Sequence, residues 1–149
     1  MLHVELMSRN EADRYHELML MNDRTKEQNR ELEMLKKTAK LNSIKIALEN
    51  LMKLENNEGK PIVNVLEYEN MPSMYRIQVL INNKYKTVAR VKACYKDIHV
   101  AIRETTAREL GKSYVIVNYN LPAQYHIALN EAYNHFKAIV DYHYKVQTA

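Results

Sequence analysis

The chemistry on offer in this chain is concentrated between Lys84 and Lys96. Five cations, Lys84, Lys86, Arg90, Lys92 and Lys96, stand there without a single acidic residue among them. A positive cluster of this density suits a phosphate backbone or an acidic protein surface. Read as a strand, the stretch has a two-face code, with Lys84, Lys86, Arg90 and Lys92 on one side and Tyr85, Thr87, Ala89, Val91 and Ala93 on the other. The plainer reading of the same lysines is a strand edge kept from pairing by charge. Cys94 follows at once, and Lys92, Lys96 and a helix start would favour its thiolate. His99 is the only local base within reach of it, so the reading here is a small boundary residue and not a nucleophile.

Other chemistries lack their residues. No G-x-x-x-x-G-K-[ST], G-x-G-x-x-G, H-E-x-x-H or G-x-S-x-G occurs, and two glycines in the whole chain cannot build a phosphate-cradling loop. The six histidines, His3, His16, His99, His126, His135 and His143, include no pair one helical turn apart, so no helical metal site is expected. A single cysteine rules out an internal disulfide framework. The expectation is a binder with no catalytic residues, no metal and no cofactor.

The elements that must position the cluster follow from composition and period. A chain of 149 residues, 46% hydrophobic and 27% charged, with 2 Gly and 3 Pro, is one folding unit and excludes collagen-like, linker-like and disordered classes. Its start has no apolar run of signal-peptide length, and no run is long enough to span a bilayer. An intracellular, cytoplasmic protein with no membrane partner is expected. The formal net charge of +4 belongs to residues 62–112, where 9 basic residues face 5 acidic ones; every other segment is balanced.

Ser8-Arg9-Asn10-Glu11 is a capping box that should start a helix, and Thr25-Lys26-Glu27-Gln28 could start another. Between them the polar run 22–31 interrupts the apolar stripe, so residues 1–42 read as one solvated helix or as two. The methionines of this segment suggest a helix–helix interface, and with it a homo-oligomer. From Ser43 the positions Ile44, Ala47, Leu48, Leu51, Met52 and Leu54 form an amphipathic helix stopped by Gly59. The period then changes to two. Strands are expected at Ile62–Leu66, Tyr75–Ile81 and Lys84–Ala93, the last two joined by an Asn82-Asn83 turn. A helix with Ile98, Ala101, Ile102, Thr105 and Leu110 on its buried stripe should follow, then a short strand at Tyr114–Val117. A last helix starts near Asn120 and Pro122 and carries Tyr125, Ala128, Leu129, Ala132, Phe136, Ile139 and Val140. The fold class is α+β, a three- to four-stranded antiparallel sheet packed on helices, with an N-terminal helical extension (1–42) and an α+β domain (43–149).

Residues 43–111, in the expected order α-β-β-β-α, resemble a double-stranded-RNA-binding domain. The strand Tyr75-Arg76-Ile77-Gln78-Val79-Leu80-Ile81, a tight turn, a third strand and a helix carry the resemblance. That family grips phosphates with Lys-Lys-x-x-Lys at the start of its last helix, a position occupied here by Tyr95, Lys96 and His99. Its Gly-Pro-x-His loop corresponds to Glu69-Asn70-Met71-Pro72-Ser73-Met74, which keeps the proline and lacks the histidine. The resemblance further implies polar contacts from Asn42, Lys45 and Glu49, and recognition of A-form duplex RNA by shape.

The expected partner is therefore nucleic acid, duplex RNA first, bound through Lys84, Lys86, Arg90, Lys92, Lys96 and His99. Tyr68, Tyr75, Tyr85 and Tyr95 lie near these cations and could stack on the bases of a single strand, but Tyr75 and Tyr85 fall on the apolar faces of their strands and read as core. The other class compatible with the charge is an inhibitor of viral or phage type, placing the basic hairpin on an acidic or nucleic-acid-binding surface of a larger protein in the host cytoplasm.

Overall fold

A computed structural model describes residues 8–71, 73–94, 97–112, 116–120 and 125–148. Both capping boxes form. The Ser8 hydroxyl accepts from the Glu11 N–H at 3.3 Å while the Glu11 carboxylate accepts from the Ser8 N–H at 3.0 Å. Thr25 and Gln28 repeat the exchange at 3.1 and 2.9 Å. Each box satisfies two N–H groups that a helix start leaves over, and together they open α1 (Arg9–Leu20) and α2 (Lys26–Leu51). The polar run 22–31 thus contains a turn followed by the exposed start of a second helix.

α1 folds back on α2 and buries Ala12, Tyr15 and Leu18 against Leu32 and Ala39. Arg14 forks onto Glu31 at 2.7 and 2.8 Å across the pair. No helix begins at Ser43, as the sequence suggested. The boundary expected at residue 42 falls inside α2, where Ser43 is buried and donates to the Lys40 carbonyl at 2.6 Å. The second half of the same helix takes Ile44, Ala47, Leu48 and Leu51 into the main core.

Five strands follow, β1 (Val63–Glu67), β2 (Met74–Ile81), β3 (Lys84–Ala93), β4 (Asp97–Ile102) and β5 (Ile116–Asn120). They form one antiparallel sheet in chain order. Two further helices, α3 (Glu104–Glu109) and α4 (Tyr125–Thr148), complete the α+β fold. Asn82 and Asn83 both adopt positive φ, 52° and 64°, as a two-residue hairpin requires, which Asn tolerates without a glycine.

β4 is the main departure from expectation. Ile98 and Ile102 are four apart, a spacing that fits a helix stripe as well as alternate positions of a strand. Val100 between them decides: three β-branched residues at period two are all buried, while Asp97, His99 and Ala101 are half-buried. The helix shrinks to α3, where Thr106 and Ala107 are buried and Thr105 is exposed. The order over the region likened to a duplex-RNA-binding domain is consequently α-β-β-β-β-α. β5 lies a little later than expected, and Asn120 closes it instead of opening a helix. Tyr114 and Pro122 lie outside the described residues.

α2 and α4 pack together and cover one face of the sheet, α4 crossing β2 and β3. Ile77, Val79, Val91, Ile98 and Val100 from the strands meet Ile44, Leu48, Phe136, Ile139 and Val140 there, all at most 1% exposed. At roughly 1.5–3 kcal/mol per large apolar side chain, this layer supplies most of the favourable free energy of folding. Among the described residues, no helix is long and apolar enough to cross a membrane.

Candidate functional site

The opposite face of the sheet mixes polar and apolar side chains and has no helix over it among the described elements. Residues directly opposed in antiparallel strands point to the same side, so the register lists what this face displays. One row runs across all five strands, Leu66–Arg76–Arg90–Ala101–Ile116. Beside it lies Met74–Lys92–His99–Asn118. On the other flank Asn64, Gln78 and Thr87 form an amide–hydroxyl ladder with hydrogen bonds of 3.0 and 3.4 Å.

At the centre are two guanidiniums. Arg76 donates from Nε to the Tyr68 hydroxyl at 3.3 Å, with its guanidinium carbon 5.1 Å from the ring centroid. The hydrogen bond from Arg76 holds the Tyr68 hydroxyl below its ordinary value, and the charge and hydrogen bonding of Arg90 act in the same direction. Two cations thus converge on one half-buried phenol. Such a cluster is able to take an anionic oxygen between the guanidiniums, with a planar ring at its edge on which a base can stack.

The residues singled out in the sequence divide. Arg90, Lys92 and His99 are brought together on this face, with Lys92 directly opposite His99. Lys84 and Lys86 are not. The register shifts between Ile77 and Gln78, leaving Val88 as an extra residue in β3. A one-residue bulge reverses which side each later residue faces. Lys86 therefore opposes Val79 and Lys84 opposes Ile81, both residues of the helix-covered side, while Tyr85 and Thr87 move to the side of Arg90. The single-faced code expected for Lys84, Lys86, Arg90 and Lys92 is thus broken at Val88.

β4 pairs only with Ala89–Ala93, so β3 from Lys84 to Val88 has an unpaired outer edge, where exposed lysines oppose edge-to-edge association. Tyr85, expected in the core, is 39% exposed and donates to the Pro61 carbonyl at 2.8 Å. Tyr75 is buried as expected. Lys96 and Tyr95 lie outside the described residues. Lys45 and Glu49 sit on α2 beside Val65, Glu67 and Tyr75, on the helical side of the sheet and away from the arginines.

Arg76 is not among the site residues expected from the sequence, and Tyr68 is named there only as one of four tyrosines near the cations. The signal for Arg76 is present, since it alternates with the buried Tyr75 and Ile77, but it stands outside the run of cations from Lys84 to Lys96. Tyr68 lies beyond the end of β1 and reaches the face only because its N–H pairs with the Met74 carbonyl at 3.0 Å, a contact no local pattern announces.

A second cluster sits where β3 turns into β4. The His99 imidazole contacts the Asn118 side-chain oxygen through Nδ1 and lies 3.2 Å from an Asp97 carboxylate oxygen through Nε2. The Cys94 Sγ is within 4.8 Å of both groups. The backbone N–H of Cys94 donates to the Asp97 carbonyl at 3.0 Å and holds the turn closed. No family model, curated protein sequence or solved structure matches this chain.

Proposed function

We propose that the chain is a non-catalytic nucleic-acid-binding protein that takes a single strand on the open face of its sheet. The observation that supports this most is the central pair Arg76 and Arg90, two guanidiniums in one row with the Tyr68 phenol beside Arg76 and no carboxylate paired to either among the described residues. Lys92 extends the positive track, and Asn64, Gln78, Asn118 and Asn120 flank it with amides. Duplex RNA was the first expectation, through the hairpin and a helix after it. With β4 in place of that helix, the side chains stand on an open sheet face. A platform meets splayed bases and a flexible backbone better than it follows the grooves of a duplex.

The test is fluorescence polarisation with single-stranded RNA, duplex RNA and duplex DNA at about 50 and about 200 mM salt. Single-stranded RNA should bind most tightly, with a log–log salt slope of about −2 for three phosphate contacts. Arg76→Gln with Arg90→Gln should remove most of the affinity. Absence of binding to all three at low salt overturns the proposal.

One observation favours an acidic protein partner instead. Leu66 and Ile116, at the two ends of the arginine row, are 44% and 60% exposed. Apolar ends around an arginine centre are what a protein interface displays. Binding of that kind would persist as salt rises and would respond to Leu66→Ser and Ile116→Ser. In either reading, exposed Met19, Leu20 and Met34 on α1 and α2 are the surface proposed for self-association. Light scattering of the purified chain, with Leu20→Ser and Met34→Ser as variants, tests it.

A further inference from the structure

From the β3–β4 turn we infer a divalent metal site of zinc-like preference, with Cys94, Asp97 and His99 as its three protein ligands. The ligand atoms of these residues lie within 4.8 Å of one another, and all three side chains are partly accessible, so an ion has a path in. A tetrahedral centre with Zn–N and Zn–O bonds near 2.1 Å places those two ligand atoms about 3.4 Å apart. His99 Nε2 and Asp97 Oδ1 are 3.2 Å apart.

The second observation is Asn118. Its side-chain oxygen meets His99 Nδ1, and an oxygen there has to receive an N–H. With Nδ1 engaged by Asn118, Nε2 is the ring nitrogen that faces the Asp97 carboxylate and is placed to ligate. Histidines that hold metals are commonly oriented in this way, by a partner that accepts the proton of the other ring nitrogen.

The donor set also selects the ion. One thiolate, one imidazole and one carboxylate suit zinc or cobalt better than calcium or magnesium, which prefer oxygen alone. Thiolate and carboxylate together carry two negative charges, so a bound divalent ion leaves the site neutral. Lys92, opposite His99 on β3, then faces no net charge. A water completes the fourth position. The ion would tie β3 to β4 and, through Asn118, to β5, beside the arginine row and independently of what that row binds.

The experiment is a titration of the reduced, full chain with Co²⁺, followed by displacement with Zn²⁺. Because Cys94 is the only cysteine, a thiolate-to-cobalt charge-transfer band in the wild-type protein assigns itself. The expected result is that band with one equivalent of metal per chain, together with the intense visible bands of tetrahedral cobalt. Cys94→Ser and His99→Ala should abolish the band, and Asn118→Ala should weaken binding about 10- to 100-fold. Zn²⁺ should protect Cys94 from alkylation in the wild type and not in His99→Ala, with circular dichroism confirming that the variant is folded. No charge-transfer band in the wild type, one metal per two chains, or equal affinity in Cys94→Ser overturns the site.

Discussion

Arg76 on β2 and Arg90 on β3 stand directly opposite one another on the open face of the sheet, and the Arg76 Nε donates to the hydroxyl of Tyr68 at 3.3 Å. Like charges opposed across strands are unfavourable by about 0.2–1 kcal/mol. A fold that keeps such a pair is storing charge where a ligand would relieve it. Arg76→Gln should therefore leave stability unchanged or raise it by up to about 1 kcal/mol in urea unfolding, while weakening single-stranded RNA binding. A variant that loses stability and affinity together would make Arg76 a structural residue.

Lys84 and Lys86 should behave differently from Arg90 and Lys92, although all four lie in one strand. Exchanging Lys84 and Lys86 together for Glu is expected to change RNA affinity less than threefold. The same reversal at Arg90 and Lys92 should lower it at least tenfold, at matched salt. Equal losses from both pairs would show that the bulge at Val88 does not separate the two faces in solution.

That bulge also explains which parts of the structure could be read from the sequence. The capping boxes, the Asn82-Asn83 turn and the stripe from Ile44 to Leu51 are local patterns, and each forms where its residues stand. An extra residue in one strand is defined only by its partner strand, so the alternation from Lys84 to Lys92 gave no sign of it. β4 was ambiguous for a related reason. Ile98 and Ile102 serve both periods, and Val100 together with the pairing to β3 and β5 selects the strand. Half of the candidate site was legible as charge, while Arg76 and Tyr68 needed the sheet to bring them in.

Acid should destabilise the fold. His143 is 1% exposed with Nε2 2.9 Å from the Thr106 hydroxyl, and burial pushes its imidazole below the ordinary 6.5, with the charge of Arg103 adding to the effect. Burial does the same to His135, stacked 3.7 Å from the Tyr119 ring. The unfolded chain then binds more protons than the folded one as pH falls below about 6.5. The stability these residues lend is full above that pH and is lost on the way down to the folded values. The urea midpoint should thus drop between pH 7.5 and 5.5, and a midpoint that rises over this interval would contradict the assignment.

Thr106→Val tests the same contact at neutral pH. It removes the hydroxyl from the buried imidazole and should cost about 1–3 kcal/mol in urea unfolding. A neutral substitution would mean that His143 finds another partner at no cost.

Phe136→Ala should be far more damaging. Phe136 is completely buried on α4 in the layer between helix and sheet, and its truncation is expected to cost about 3–5 kcal/mol. A loss below about 1 kcal/mol would show that α4 does not pack as described.

The strand order bears on how the chain reaches this fold. Each strand pairs with its neighbour in sequence, so the sheet can grow by successive hairpins, each closing only a short loop. The packing of α2 on α4 is different, because it joins the two sides of the whole meander. Short-range closures are fast and long-range ones slow. The docking of α4 on α2 is therefore the contact that closes the longest loop of the fold. On a ribosome that event has to wait until the last helix has left the exit tunnel.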